Sequence, residues 1–404
     1  MANKSKKHKQ RIKERQREAW QAQKSQRKTV RHTIRPLTRK KHRADWQTLQ
    51  PNEFGVVADR RIMPRDELER RERVEMLSAQ AIAADFDEAV WQRLAAATPY
   101  ALGLVIEVSK GLCRVALDGE IIVCDWRGAL IAEQTGYTNI IAVGDRVLVS
   151  LQEEGHGSVQ EVLPRRSGLG RADPFYGHLR QLLTANVDQV LIVAAWREPH
   201  LWLQMVDEYL IGAERNNLTG IVCINKVDLA EEMAEVEALL RPYQAHNHPI
   251  LYTSTVTGEG LAELTAVLRN KTTVLAGLSG VGKSTLINSI DTNLNLRTAR
   301  ISNMPSREGR HTTTQAVMYP LEHLNGYVID TPGIKDMGLL GLDAEELLDY
   351  YPDIAEFVPE CRFSNCQHEQ EPGCAVRDGV ENGRIAQWRY DNYIKLYARL
   401  AQAG

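Results

Sequence analysis

"AGLSGVGKSTLINSI", Ala276–Ile290, decides how this chain is read. Gly277 to Ser284 fits the spacing G-x-x-x-x-G-K-[ST], with an apolar run, Thr272 to Gly277, before it and a helix-like run, Lys283 to Ile290, after it. That strand, loop and helix context is what a phosphate-gripping loop requires. Glycines let backbone N–H groups converge on phosphate oxygens, and the start of a helix adds partial positive charge. The candidate contacts are Gly277, Ser279, Gly280, Val281, Gly282, Lys283, Ser284 and Thr285. Lys283 is suited to neutralise β/γ oxygens and to act in catalysis, and the Ser284 hydroxyl is suited to ligate Mg²⁺.

Upstream lies "NKVD", Asn225 to Asp228, at the end of the apolar run Gly220 to Asn225. The Asp228 carboxylate can accept from guanine N1–H and its 2-amino group, a donor pair that adenine lacks, so guanine is expected over adenine. Asn225 and Lys226 complete that loop, and "TSTVTGEG", Thr253 to Gly260, supplies Ser254 from the next strand end. Downstream, "DTPG" ends the run Gly326 to Asp330. Asp330 there can hold Mg²⁺ through water, and the Gly333 N–H is placed to meet a γ-phosphate.

The order is unusual, because the base-reading motif precedes the phosphate loop. A site at the carboxyl ends of sheet strands depends on their spatial order, not on where the chain begins. Close termini permit circular permutation, and a rotated sequence assembles the same site. Runs at Gln189 to Ala195, Gly220 to Asn225, Pro249 to Ser254, Thr272 to Gly277, Ala316 to Leu321 and Gly326 to Asp330 read as strands. Helix-length segments separate the first four, which is the texture of a doubly wound α/β sheet.

Before this region, residues 102–164 carry short alternating runs broken by Gly and Asp, with the hairpin-like "LDGE" at Leu117 to Glu120. Closely spaced strands of this kind predict a small closed β-barrel of OB or SH3-like type. Residues 67–97 read as a helix and 50–66 as loop. Residues 1–44 hold 17 Lys plus Arg against Glu14 and Glu18, while the remaining residues carry 33 basic and 50 acidic side chains. Such a start cannot bury enough surface to offset its ordering entropy and is expected to be a mobile arm for nucleic acid. No apolar run approaches the ~18 residues of a membrane span, and no apolar signal core follows the basic start, so a cytoplasmic chain without membrane partners is expected.

Cys113, Cys124 and Cys223 lie in strand-like runs and read as small buried hydrophobes. "CRFSNCQHEQEPGC" groups Cys361, Cys366, His368 and Cys374. Three thiolates and one imidazole complete a tetrahedral shell, so one structural Zn²⁺ is expected; a disulfide would leave an odd cysteine. In the helix-like Gly383 to Gln402, Trp388, Tyr390, Tyr393 and Tyr397 are expected to pack. The basic residues Arg384, Arg389, Lys395 and Arg399 are left to meet RNA.

With NKVD, GLSGVGKST, GRHTTT, DTPG and the Cys/His cluster in this order, the chain resembles the circularly permuted RsgA family of small ribosomal subunit biogenesis GTPases, over about residues 100–400. The resemblance implies an α/β fold: a circularly permuted P-loop GTPase core with an N-terminal OB-type barrel and a C-terminal, mainly helical zinc-binding domain. The expected division is 1–44 basic tail, 45–98 partly helical extension, 99–165 barrel, 175–342 GTPase domain and 343–404 zinc domain. It implies Thr313 on Mg²⁺ and γ-phosphate, with Thr312 as the alternative register, and His311 positioning water. After DTPG stands Ile334, which cannot orient water as a glutamine does, and a histidine's near-neutral pKa of ~6.5 suits the task. Implied partners are the small ribosomal subunit, its rRNA, GTP and GDP, with Mg²⁺ accompanying GTP and the chain a monomer. The implied activity is GTP hydrolysis that times binding and release in late subunit maturation. A GTP-regulated RNA-binding protein acting outside ribosome assembly is the alternative.

Overall fold

Seven residues of uninterrupted burial, Gln189–Ala195, form the central strand of the larger sheet. Parallel strands covered on both faces need such runs. The computed structural model describes residues 88–109, 111–126, 140–152, 155–172, 180–292, 294, 316–331, 339 and 342–403. The basic start at 1–44, the loop at 50–66 and most of the helix expected at 67–97 lie outside the described residues. Helix α1, Glu88–Ala96, is the described part of that helix; it buries Trp91 and Leu94 against Leu148 and Leu163.

Five strands follow: β1 Ala101–Ser109, β2 Leu112–Leu117, β3 Glu120–Trp126, β4 Arg146–Leu151 and β5 His156–Val162. Their pairing runs β1-β2-β3-β5-β4 and closes through β1–β4, which makes an OB-type barrel. Alternation turns Cys113, Val115, Ile122 and Cys124 inward onto Val147, Val149 and Val159. The two-residue turn Asp118-Gly119 has φ of 49° and 88°, the doubly left-handed form that matches strand twist.

A hairpin absent from the sequence reading, β6 Gly168–Ala172 and β7 Arg180–Ala185, joins the barrel to the next unit. The end of the hairpin is tied to the barrel: Ala185 N–H donates to the Val143 carbonyl at 2.7 Å, and Asn186 Nδ2 donates to the Gly144 carbonyl at 2.8 Å. The larger sheet contains β8 Gln189–Ala195, β9 Thr219–Asn225, β10 Ile250–Thr253, β11 Thr272–Ala276, β12 Val317–Leu321 and β13 Gly326–Asp330. Their order is β10-β9-β8-β11-β13-β12, parallel except for β12, which pairs antiparallel with β13. β12 also meets β1 at the single register Glu107↔Val317, so barrel and sheet are continuous.

Alternate residues of β8 feed two cores. Val190, Ile192 and Ala194 meet α2, Leu203–Arg215, and α3, Met233–Ala245. Leu191, Val193 and Ala195 meet α4, Leu261–Leu268, and α5, Lys283–Ile290. C-terminally, α6 Pro352–Ala355, α7 Ala375–Glu381 and α8 Gln387–Ala403 surround Tyr351, Ile354, Val376, Tyr393 and Leu396. Ile211 of α2 belongs to this third core, so one helix serves both units.

Candidate functional site

The carboxyl ends of five parallel strands line up: Thr253 is in register with Asn225, Asn225 with Ala195, Ala276 with Ile192 and Asp330 with Leu275. A ligand site belongs at that edge. Between β11 and α5 the loop turns through Gly277, Gly280 and Gly282 at φ of 129°, 85° and 100°. A Cβ on Gly277 would sit 2.0 Å from the Val193 carbonyl oxygen, so only glycine permits this approach. Buried Val281 anchors the loop in the core. Ser279 and Gly280 are exposed, as is Thr285; Ser284 is half-buried in the first turn of α5. Lys283 lies across the loop, Nζ donating to the Gly277 and Leu278 carbonyls at 2.8 Å each.

Asn225, only 1% exposed, ties the end of β9 to this loop. Its Nδ2 donates to the Val281 carbonyl at 2.8 Å, and its Oδ1 accepts from Thr253 Oγ at 3.2 Å. Lys226 adopts a left-handed φ of 61° and its Nζ donates to the Glu198 carbonyl. Ser254 Oγ donates to Asp228 Oδ1 at 2.5 Å while accepting the Val256 and Thr257 N–H groups at 3.2 Å each. Two N–H donors fill the hydroxyl's acceptor side, so its own proton must point to the carboxylate. Ser254 thereby orients Asp228, whose residue is exposed beside it and presents an anionic acceptor.

Asp330 is buried at the end of β13, and the neighbouring Thr331 hydroxyl donates to the Leu275 carbonyl at 3.3 Å. His311, Thr312, Thr313 and Gly333 lie outside the described residues, as do Arg307 and Arg310. The sequence reading missed the segment 196–202. Trp196 N–H donates to the Asn225 carbonyl at 2.9 Å, and Pro199 Cδ lies 3.9 Å from where a Gly280 Cβ would be. The signal for it was present: the segment follows β8, whose carboxyl end adjoins both motifs.

Cys361, Cys366, His368 and Cys374 bring one donor atom each within 4.8 Å of one another. His368 Nδ1 is 3.7 Å from Cys361 Sγ and 3.5 Å from Cys374 Sγ. Zinc bonds to sulfur and nitrogen at tetrahedral angles set an S···N edge of roughly 3.6 Å. The cluster can therefore hold one zinc ion. Tyr390 fixes the histidine from behind, its hydroxyl donating to the His368 carbonyl at 2.6 Å.

One expectation is corrected at α8. Arg389, left to RNA by the sequence reading, is 3% exposed. Its Nη1 meets Asp207 Oδ1 at 2.5 Å, its Nε meets Asp353 Oδ2 at 3.1 Å, and its guanidinium lies 4.0 Å from the Tyr351 ring centre. A guanidinium this deep needs carboxylates, and the fold supplies two. Arg399 stays exposed, with Nη2 3.0 Å from Glu208 Oε1. The aromatics pack as expected: Trp388 lies 5.5 Å from Tyr243, and Tyr393 is buried.

Among known proteins, the family model of the RsgA GTPase matches residues 162–340. A small ribosomal subunit biogenesis GTPase RsgA of Gemmatimonas aurantiaca is 38% identical over 297 residues, covering 73% of this chain and 95% of the relative. A protein of the same description from Thermotoga petrophila is 37% identical over 302 residues, 74% of this chain and 96% of its own. Among solved structures, YjeQ from Thermotoga maritima aligns with a TM-score of 0.57 and 35% identity, covering 74% of this chain and 98% of that one. YloQ, described as a circularly permuted GTPase, aligns at 0.53 with 27% identity, covering 76% and 96%.

Proposed function

This chain belongs to the RsgA GTPase family, and on that premise we propose that it hydrolyses GTP as an assembly factor of the small ribosomal subunit. The observation that carries the nucleotide reading is the pairing of Asp228, oriented by Ser254, with a glycine loop to which Asn225 is directly bonded. These bonds support a reading in which base recognition and phosphate binding share one edge of the sheet.

Lys283 neutralises the β- and γ-phosphates, and the amino end of α5 adds its partial charge. Ser284, Thr313 and Asp330 would hold the Mg²⁺ that accompanies GTP, which would supply positive charge to the phosphates, and Gly333 would meet the γ-phosphate. His311 positions the attacking water in place of the glutamine that Ile334 displaces. One structural Zn²⁺ on Cys361, Cys366, His368 and Cys374 holds the C-terminal unit folded.

Nucleotide state sets binding and release during late maturation in the cytoplasm, with the chain acting as a monomer. The labour divides as 1–44 basic arm, 45–98 extension, 99–165 barrel, 175–342 GTPase domain and 343–404 zinc domain, with arm, barrel and zinc domain meeting rRNA. The test is steady-state GTP hydrolysis with added small subunits, large subunits or free RNA. Stimulation confined to small subunits is expected. Equal rates in all mixtures would sink the assembly role and leave an RNA-binding protein that acts elsewhere.

A further inference from the structure

His368, one of the four zinc-ligand candidates, has φ of 66°, a left-handed conformation that a residue bearing a Cβ seldom adopts. Such a conformation persists only where neighbouring contacts hold it. Two side chains do so here, one on each side of the histidine. Glu371 Oε1 accepts the Gln367 N–H at 2.7 Å, and its Oε2 accepts the Gln370 N–H at 3.1 Å. The Tyr390 hydroxyl donates to the His368 carbonyl at 2.6 Å. Glu371 thus fixes the peptide group between Cys366 and Gln367, and Tyr390 fixes the one between His368 and Glu369.

The turn held in this way places the buried imidazole among the thiols, with Nδ1 3.7 Å from Cys361 Sγ and 3.5 Å from Cys374 Sγ. Those two cysteines are drawn together by their neighbours, because the Arg362 N–H donates to the Gly373 carbonyl at 3.0 Å. Each of these hydrogen bonds joins two protein groups, so none of them needs the ion. Glu371 is outside the gathered set of donor atoms, and its two oxygens face loop amides instead. Tyr390 is presented by α8, which the adjacent Arg389 anchors on the buried Asp207. Groups that orient metal ligands from outside typically account for roughly 10–100-fold in metal affinity.

We propose that Glu371 and Tyr390 are positioning residues of the zinc site. By fixing the peptide groups on either side of Gln367 and His368, they set the left-handed turn that brings His368 Nδ1 to the cysteines before the metal binds. A ligand set arranged in advance loses less freedom on binding and so holds its ion more tightly.

This inference rests on the reading of the cluster as a zinc site. Its test withdraws zinc from the loaded full chain with graded amounts of a chromogenic chelator, in the native protein, Glu371→Gln and Tyr390→Phe. The same three proteins are then loaded with Co²⁺, whose visible absorption reports the geometry of the ligand atoms. Glu371→Gln keeps the side chain's shape but sets an amide donor against one of the two N–H groups, and Tyr390→Phe keeps the ring while removing the hydroxyl. Each variant is expected to hold zinc roughly 10–100-fold less tightly and to change the cobalt spectrum. Zinc held as tightly as in the native chain overturns the proposal. Weaker zinc binding with a native cobalt spectrum also overturns it, because the two residues would then only stabilise the unit. A native chain that takes up neither metal sinks the zinc reading and the proposal with it, whereas equally tight binding by all three proteins sinks the proposal alone.

Discussion

Asp207 of α2 and Arg389 of α8, 182 positions apart in the chain, meet at 2.5 Å in the interior. Asp207 also accepts from Tyr243 at 2.8 Å, Tyr351 at 3.1 Å and Asn392 at 2.8 Å, so the GTPase core and the C-terminal unit share one buried carboxylate. Removing Arg389 leaves that charge without its cation. Arg389→Ala is expected to cost about 3–5 kcal/mol, more than most single substitutions. Chemical denaturation measures the loss, and limited proteolysis should cut the C-terminal unit first. An unchanged midpoint would mean that the hub adds no net stability.

The same hub makes stability depend on pH. Burial first, then repulsion from Arg389 and His246, pushes His248 down to about 4, and burial also lowers His246. The folded chain thus binds fewer protons than the unfolded chain between that value and the usual ~6.5. This contribution is intact above about pH 6.5 and is lost as pH falls toward 4. The guanidinium midpoint should fall between pH 7.5 and 5, and His248→Asn should flatten the decline. A decline equally steep in the variant would assign it to other groups.

The proposed guanine site assigns base selection to Asp228 and to the serine that holds it. Asp228→Asn sets an amide donor against guanine's donors, so GDP affinity is expected to fall about 10²-fold or more without any gain for ATP. Ser254→Ala removes only the orienting bond and should cost about tenfold. Fluorescent-GDP titration ranks the two variants. The reverse order would show that Ser254 does more than orient.

Zinc removal should unfold one unit and spare the other. A chelator that strips the metal is expected to release one zinc per chain and to abolish protection around Cys361–Cys374, while the β8–β11 region keeps its slow hydrogen exchange. Cys374→Ser should act in the same way. A metal-free chain with undiminished protection would refute a structural role.

His311→Ala addresses the water-positioning role. Loss of a positioned acid–base or orienting group lowers turnover about 10²–10⁴-fold. GTP affinity should stay within about twofold, because the side chain is assigned to water and not to nucleotide. Single-turnover hydrolysis with small subunits present gives the answer, and an unchanged rate would move the role to another residue.

Much of the frame was legible because its cues are local. Continuous apolar runs mark parallel strands, and the strands expected at Gln189–Ala195 and Gly326–Asp330 appear at those bounds. Asp118-Gly119 announced a hairpin because only a left-handed turn fits there. What escaped was whatever depends on partners distant in the chain. A basic residue among aromatics reads as an exposed RNA contact, and nothing around Arg389 in the sequence points to Asp207 or Asp353.

By itself the sequence determined the motifs, their permuted order, the strand and helix periods and the four zinc-ligand candidates, because spacing and backbone preference act within a few residues. Only the tertiary structure decided that the barrel closes through β1 and β4 and continues into the larger sheet at Glu107↔Val317. It alone turned Ser254 toward Asp228, laid segment 196–202 beside the phosphate loop and sank Arg389 between two carboxylates. Those outcomes are set by which surfaces meet once the cores are buried, where an unpaired charge or hydroxyl is costly and must take the partner that packing brings to it.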